Sequence, residues 1–369
     1  MRLSVQLRLK PTPEQSKALW QTLRRANEAA NYVSKEAWES QTFGQFKLHK
    51  RVYANLRSKF GLPAQMAIRV IAKVADAYKF DKRVKRTFKT YGALAFDARN
   101  FSLFVDKGLV SLSTIQGRVK VSFVCGERQR ELLQHQFGEA DLCYVGKKWY
   151  LHVTINVEEP PPEAVPGVLG VDLGIVNLAT DSEGESLTGE HVQNARQRYS
   201  RLRQDLQRCG TDSAKRHLKR LSGKERNFLR TVNHTISKSI VQKAQGTSRM
   251  LALEDLSGIR QATVRKAQRY LHNSWSFGQL RNFLRYKAAL RGIPVVLVDP
   301  RHTSQACPAC GHIARANRKN RDLFVCSACG NAGPTDHIAA QNIARRAAVN
   351  RPIVGDYSQL HSLPASSPF

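Results

Sequence analysis

Gly167-Val168-Leu169-Gly170-Val171-Asp172 is an apolar run that ends on a carboxylate, and Met250-Leu251-Ala252-Leu253-Glu254 is a second. Short apolar runs rich in β-favouring residues read as buried strands. An acid at the edge of a buried core is costly unless it meets a cation. Either acid alone reads equally well as a surface or capping group, but the pair is more specific. Asp336 is the third of the kind, at the start of Ile338-Ala339-Ala340-Gln341-Asn342-Ile343, where an acid also complements the positive end of a helix. Carboxylates from two strand ends and a helix start can converge on one point. There they can hold two Mg²⁺ ions about 4 Å apart, which clamp the attacking water and the leaving oxygen of a phosphodiester.

Working outward, Val176 to Thr180 and the turn Ser182-Glu183-Gly184 predict a hairpin, and residues 192 to 245 a long basic helical region. Residues 278 to 290 predict a helix, Pro294 to Val298 a strand, and 336 to 348 a last helix. Strands first and then alternating helices and strands is the order of an RNase H-like α/β fold. Upstream, Glu158-Glu159-Pro160-Pro161-Pro162-Glu163 reads as a stiff linker. Residues 91 to 157 carry short β-rich runs that predict a barrel or twisted sheet. Residues 1 to 10 predict a strand that pairs with it. Thr12-Pro13-Glu14-Gln15 supplies an N-cap, a proline at N1 and a Gln at N3. The helical periodicity that follows makes residues 11 to 90 a helical insertion into the β-rich part.

Cys307-Pro-Ala-Cys310-Gly and Cys326-Ser-Ala-Cys329-Gly are two knuckles at one spacing. A two-residue gap lets both thiolates of a knuckle face one tetrahedral ion, so the four predict a closed, structural Zn²⁺ site. Cys125, Cys143 and Cys209 have no partner spacing and read as buried small apolar residues.

Lys and Arg number 59 against 29 Asp and Glu, a net charge of +30. Such a chain expects a polyanion, and nucleic acid leads. A membrane partner fits poorly, because the cations are spread along the chain and no apolar run approaches the roughly 18 residues of a span. The first residues alternate where a signal peptide would be continuous, which predicts a cytosolic protein. Lys79, Lys82, Arg83, Lys85 and Arg86 interleave with Tyr78, Phe80 and Phe88, as in stretches that track a phosphate backbone while rings stack on bases. Arg260, Arg265 and Arg269, and Arg321 between the knuckles, are further candidates.

Gly170-Val171-Asp172-Leu173-Gly174-Ile175, Leu253-Glu254-Asp255-Leu256, Thr303-Ser304-Gln305 and Asp336 with Ala339-Ala340 and Asn342-Ile343 resemble the signatures of TnpB. TnpB is the transposon-encoded RNA-guided nuclease related to type V CRISPR effectors. The resemblance is specific after residue 165 and weak before it. It implies that Asp172, Glu254 and Asp336 are the RuvC carboxylates, within a nuclease domain of residues 166–302 and 334–350 that holds a zinc module at 303–333. It further implies a β-barrel wedge domain (1–10 and 91–165), a helical recognition insertion (11–90), a guide RNA from the transposon end and a DNA target; the sequence does not fix the oligomeric state, of which a monomer is favoured. The tail 351–369 is expected to be unfolded. The chain departs from the family pattern at Pro334 and Thr335, where an Asp-Arg pair is usual, and at Ile338, where an Asn is usual. A guide-dependent DNA-binding regulator without cleavage, and a DNA transposase, are the alternatives.

Overall fold

Val5, Leu7 and Leu9 alternate with exposed residues along β1 (Arg2–Lys10), the period of a strand with one buried face. The computed structural model describes residues 1–135, 137–162, 165–256 and 277–349. The chain divides into two units, Met1–Glu158 and Glu159–Phe369.

In the first unit β1 pairs antiparallel with β5 (Gly117–Val124) on one side and β7 (Lys148–Asn156) on the other. With β2 (Leu94–Phe96), β3 (Phe101–Phe104), β4 (Leu109–Thr114) and β6 (Phe137–Val145) they form a seven-stranded sheet, in the order β2-β6-β7-β1-β5-β4-β3. Phe101 of β3 meets Phe137 of β6 at 5.9 Å between ring centres, so opposite ends of the sheet curl towards each other. Helices α1 (Pro13–Glu39), α2 (Gln45–Ser58) and α3 (Ala64–Phe80) leave the sheet after β1. The capping box forms as the sequence predicts, with Thr12 accepting from the Gln15 amide and Gln15 returning a bond to the Thr12 amide. A small helix, α4 (Glu127–Leu132), precedes β6.

The second unit is built on a five-stranded sheet in the order β10-β9-β8-β11-β12. β8 (Gly167–Asp172), β11 (Arg249–Glu254) and β12 (Val295–Val298) are parallel, β9 (Asn177–Asp181) is antiparallel to β8, and β10 (Ser186–Thr188) is antiparallel to β9. Two basic helices, α5 (Glu190–Cys209) and α6 (Asp212–Gly246), are separated at Gly210, whose φ of +63° stops α5, and at Thr211, which caps α6. The last residues of α6 and helix α7 (Phe277–Ala289) bury Ile236, Ile240, Val241, Leu280, Leu284 and Ala288 against one face of the sheet. Helix α8 (Thr335–Val349) covers the other face through Ile343 and Ala347 against Ala252 and Val298. No helix among the described residues is long and apolar enough to cross a membrane.

Candidate active site

Strand alternation decides where the acids face. Leu169 and Val171 of β8, and Leu251 and Leu253 of β11, pack on the α6–α7 side. Gly170, Ala252 and therefore Asp172 and Glu254 belong to the α8 side. The strands are parallel with Val171 opposite Leu253, so both carboxylates emerge beside each other at the carboxyl edge of the sheet, where α/β folds place their ligands. Helix α8 approaches this face without clearance. A Cβ at Gly170 would stand 2.2 Å from the Ala340 carbonyl oxygen, which only glycine permits. Asp336 lies one helical turn before Ala340 and is thereby brought to the same edge.

The three carboxylates line one cleft of about 390 Å³, together with Thr303, Ser304 and Arg318. Thr303 Oγ1 donates to Glu254 Oε1 at 2.5 Å, and Asn177 Nδ2 donates to Asp336 Oδ2 at 2.9 Å. Burial, and then the facing charges of Glu254 and Asp336, hold the Asp172 carboxyl well above its ordinary range, against the opposing effects of Arg318 and the Leu173 amide. Burial also raises Glu254, while the Thr303 bond and the Arg346 charge lower it. Glu254 and Asp336 both add to the proton affinity of Asp172, and a divalent ion would relieve that repulsion, so the three acids form a donor set for a hard cation. They face one cleft without closing to the spacing of the thiols: among the described residues, the four cysteines are the one metal-ligating group drawn within 4.8 Å.

That four-thiol group is built from two equivalent turns. Cys307 and Cys326 each accept at their carbonyl from the glycine four residues on, Gly311 and Gly330, at 2.9 and 3.0 Å, and both glycines have φ near +75°. Sulfur atoms of Cys307 and Cys329, and of Cys310 and Cys326, are 3.6 Å apart. This is close to the roughly 3.8 Å edge of a tetrahedron with Zn–S bonds of about 2.3 Å, so the site fits zinc. Burial resists ionisation of Cys307, but the amides of Cys310 and Ala309 and the neighbouring thiols bring it down to about 6. Asn317, fully buried, joins the knuckles by donating to the carbonyls of Gln305 and His312 and accepting from the Ser327 amide. Ile338 of α8 packs with Cys307, Phe324 and Cys326. Asn342 donates to the carbonyls of Thr303 and Ala306, both at 2.8 Å. The helix that carries Asp336 is therefore also the floor of the cysteine module.

The other sequence-predicted residues fare differently. The zinc-loop cation at the cleft is Arg318, whereas Arg321 is exposed and does not line it. In the basic stretch of the first unit, α3 ends at Phe80 and residues 81 to 89 are irregular. Tyr78 is fully buried and bonded to Ser34, so it is a core ring and cannot stack on a base. Phe80 is 74% exposed. Lys79 pairs with Asp76, and Arg83 and Arg86 with Asp81, while Lys82 and Lys85 are exposed. Arg260, Arg265 and Arg269, and the tail 351–369, lie outside the described residues. Cys209, expected to be buried, is exposed at the end of α5; Cys125 and Cys143 are half-buried. Thr303, Asn177 and Arg318 reach the cleft by contacts that no local pattern announces.

Residues 152–258 match the family described as "Probable transposase" (OrfB_IS605), and residues 277–343 match the "Cas12f1-like, TNB domain". The chain resembles TnpB-like and Cas12f1 proteins over part of its length. It is 34% identical over 217 residues to the CRISPR-associated endodeoxyribonuclease Cas12f1 of Sulfoacidibacillus thermotolerans, covering 53% of this chain and 50% of that protein. To a TnpB-like protein of Methanocaldococcus jannaschii it is 30% identical over 131 residues, which are 35% of this chain and 46% of the relative. It thus spans about half the length of the curated relatives it matches. Among solved structures, the Cas12f1 chain of a complex with single-guide RNA and target DNA superposes with a TM-score of 0.64 at 13% identity, over 89% of this chain and 83% of that one. The mini-RNA-guided endonuclease CRISPR-Cas_phi3 gives 0.52 at 12% identity, over 96% and 94%. The chain accordingly shares its fold with these effectors.

Proposed function

We propose that the chain is a metal-dependent, RNA-guided DNA endonuclease. The observation that carries this reading is the meeting of Asp172, Glu254 and Asp336 in one cleft at the carboxyl edge of a parallel sheet. These three side chains would hold Mg²⁺, which when bound supplies an activated water and neutralises charge on the leaving oxygen. Thr303 fixes the rotamer of Glu254, and Arg318 presents a planar donor fork to the scissile phosphate. The four-cysteine module is structural, because a closed set of four thiolates leaves no position for a substrate.

In this reading the β-rich part (1–10 and 91–165) is the wedge, and residues 11–90 are the recognition insertion. They take a guide RNA, with Lys82 and Lys85 among the phosphate contacts. Base pairing to the guide supplies target sequence specificity, and the protein reads shape and a short flanking motif.

The test is to sequence the RNA that copurifies with the protein and offer a matching plasmid target in Mg²⁺. The expected outcome is guide-dependent cutting, abolished by Asp172→Ala, Glu254→Ala or Asp336→Ala with target binding retained. Binding without cutting by the unaltered chain would instead make it a guide-dependent regulator.

A further inference from the structure

Carboxylates of the second unit are held in two distinct ways. Some take cations: Lys243 bridges Asp181, Glu183 and Glu185, Arg249 pairs with Glu183, and Arg281 pairs at 2.9 Å with Asp255, which also lines the cleft. Glu254 and Asp336 instead accept hydrogen bonds from uncharged groups, Thr303 and Asn177. A cationic partner would cancel the charge that attracts a metal ion. A neutral donor orients the carboxylate and leaves its charge intact.

Asn177 is poorly explained by packing. It opens β9 ahead of Leu178 and Ala179, which are buried, and asparagine is disfavoured in strands. Its backbone is nevertheless held hard. The turn from β8 presses on it so closely that a Cβ on Gly174 would stand 2.4 Å from the Asn177 carbonyl oxygen. The Gly189 amide bonds the preceding carbonyl, that of Val176, at 2.6 Å. The amide of Asn177 thus reaches Asp336, 159 residues away in sequence, from a fixed base. An ionised carboxylate only accepts, so Nδ2 is the atom that faces it. One oxygen of Asp336 is engaged in this bond, which leaves the other for a metal.

We infer that Asn177 is the positioning residue of the third carboxylate: its neutral amide holds Asp336 in the rotamer that binds the catalytic divalent ion. The inference rests on the nuclease reading above. Nothing in it requires Asn177 to touch substrate.

The test uses the full chain with zinc in place, freed of RNA, and Mn²⁺ as the probe, its binding followed by electron paramagnetic resonance and calorimetry. Asn177→Leu keeps the volume without the donor, and Asn177→Ala removes the side chain. Both are expected to bind Mn²⁺ about 10- to 100-fold more weakly than wild type. Their melting temperatures without added Mg²⁺ or Mn²⁺ and their zinc content should stay near wild type. The half-saturating Mg²⁺ for target cutting should rise in the same proportion, with cutting partly restored at high Mg²⁺, an effect that lost packing alone does not produce. Asp336→Ala separates the two ideas. If it abolishes Mn²⁺ binding while both Asn177 variants bind within twofold of wild type, the positioning role is overturned and the metal site stands. If Asp336→Ala binds Mn²⁺ as wild type does, the metal site itself is wrong. Should Asn177→Leu fail to fold, the smaller Asn177→Ala decides alone.

Discussion

Gly170→Ala adds one methyl group at the place where β8 and α8 touch. The new Cβ would lie 2.2 Å from the Ala340 carbonyl oxygen, 2.6 Å from the Ala344 nitrogen and 2.9 Å from the Ala344 Cβ. A relaxed carbon–oxygen contact is about 3.3 Å, so the helix must recede by about 1 Å. The obstructing atoms are mainly backbone and no rotamer can relieve them, which puts the cost towards the upper end of about 1–3 kcal/mol for overpacking. In a unit of this size each kcal/mol lowers the melting temperature by about 2–4 °C, and a loss of roughly 5–10 °C is expected by calorimetry. The same recession carries Asp336 beyond the roughly 0.5 Å within which a metal constellation works. Guided cutting should fall by about 100-fold, with zinc content and guide binding intact. A variant that melts within a degree of wild type and cuts at the wild-type rate would refute the idea that this contact sets the position of α8.

Cys326→Ser should lower bound zinc to well under one equivalent in metal analysis and destabilise the second unit by several kcal/mol, since metal binding and folding are linked in such modules. Asp172 binds its proton more tightly in the folded than in the unfolded chain, so its stabilising contribution is whole below about pH 4 and is lost as pH rises through the raised folded value. Without added Mg²⁺ the melting temperature of wild type should therefore fall over that range. Asp172→Asn should show a shallower fall and a higher value at neutral pH; parallel profiles would count against the buried cluster. Thr303→Val removes a bond that lowers the Glu254 pKa, so the acid limb of the cutting rate should move to higher pH, with a stability loss of about 1 kcal/mol. Affinity for target DNA should fall steeply between 50 and 200 mM salt, measured by filter binding; a flat response would argue against phosphate neutralisation by this basic chain.

The cysteine module was legible because its geometry is local: two residues between thiols and a glycine after the second define each turn. Asp172 and Glu254 were legible as acids that end apolar runs, and Asp336 as an acid that opens an apolar helix. Their partners were not, because Asn177 to Asp336 and Thr303 to Glu254 span 159 and 49 residues, and nothing in one segment encodes its contact in another. The zinc loop carries no period that would tell Arg318 from Arg321. The aromatic and basic stretch does not act as one unit. It straddles a helix end, so Tyr78 belongs to the core while Phe80, two residues on, faces solvent. Cys209 was placed inside on the general habit of cysteines, but the last residues of α5, Gln207 to Cys209, are all exposed.

β14 (Ala332–Pro334) is the second strand of the small hairpin that it forms with β13 (Leu323–Val325), and Thr335 already begins α8. There is no linker between the cysteine module and the helix of the third acid. The joint is further closed by the Thr335 amide, which bonds the carbonyl of Asp322 on the module at 3.0 Å. The module and the first turn of α8 therefore form one rigid piece, and a displacement of either is carried to Asp336 without attenuation.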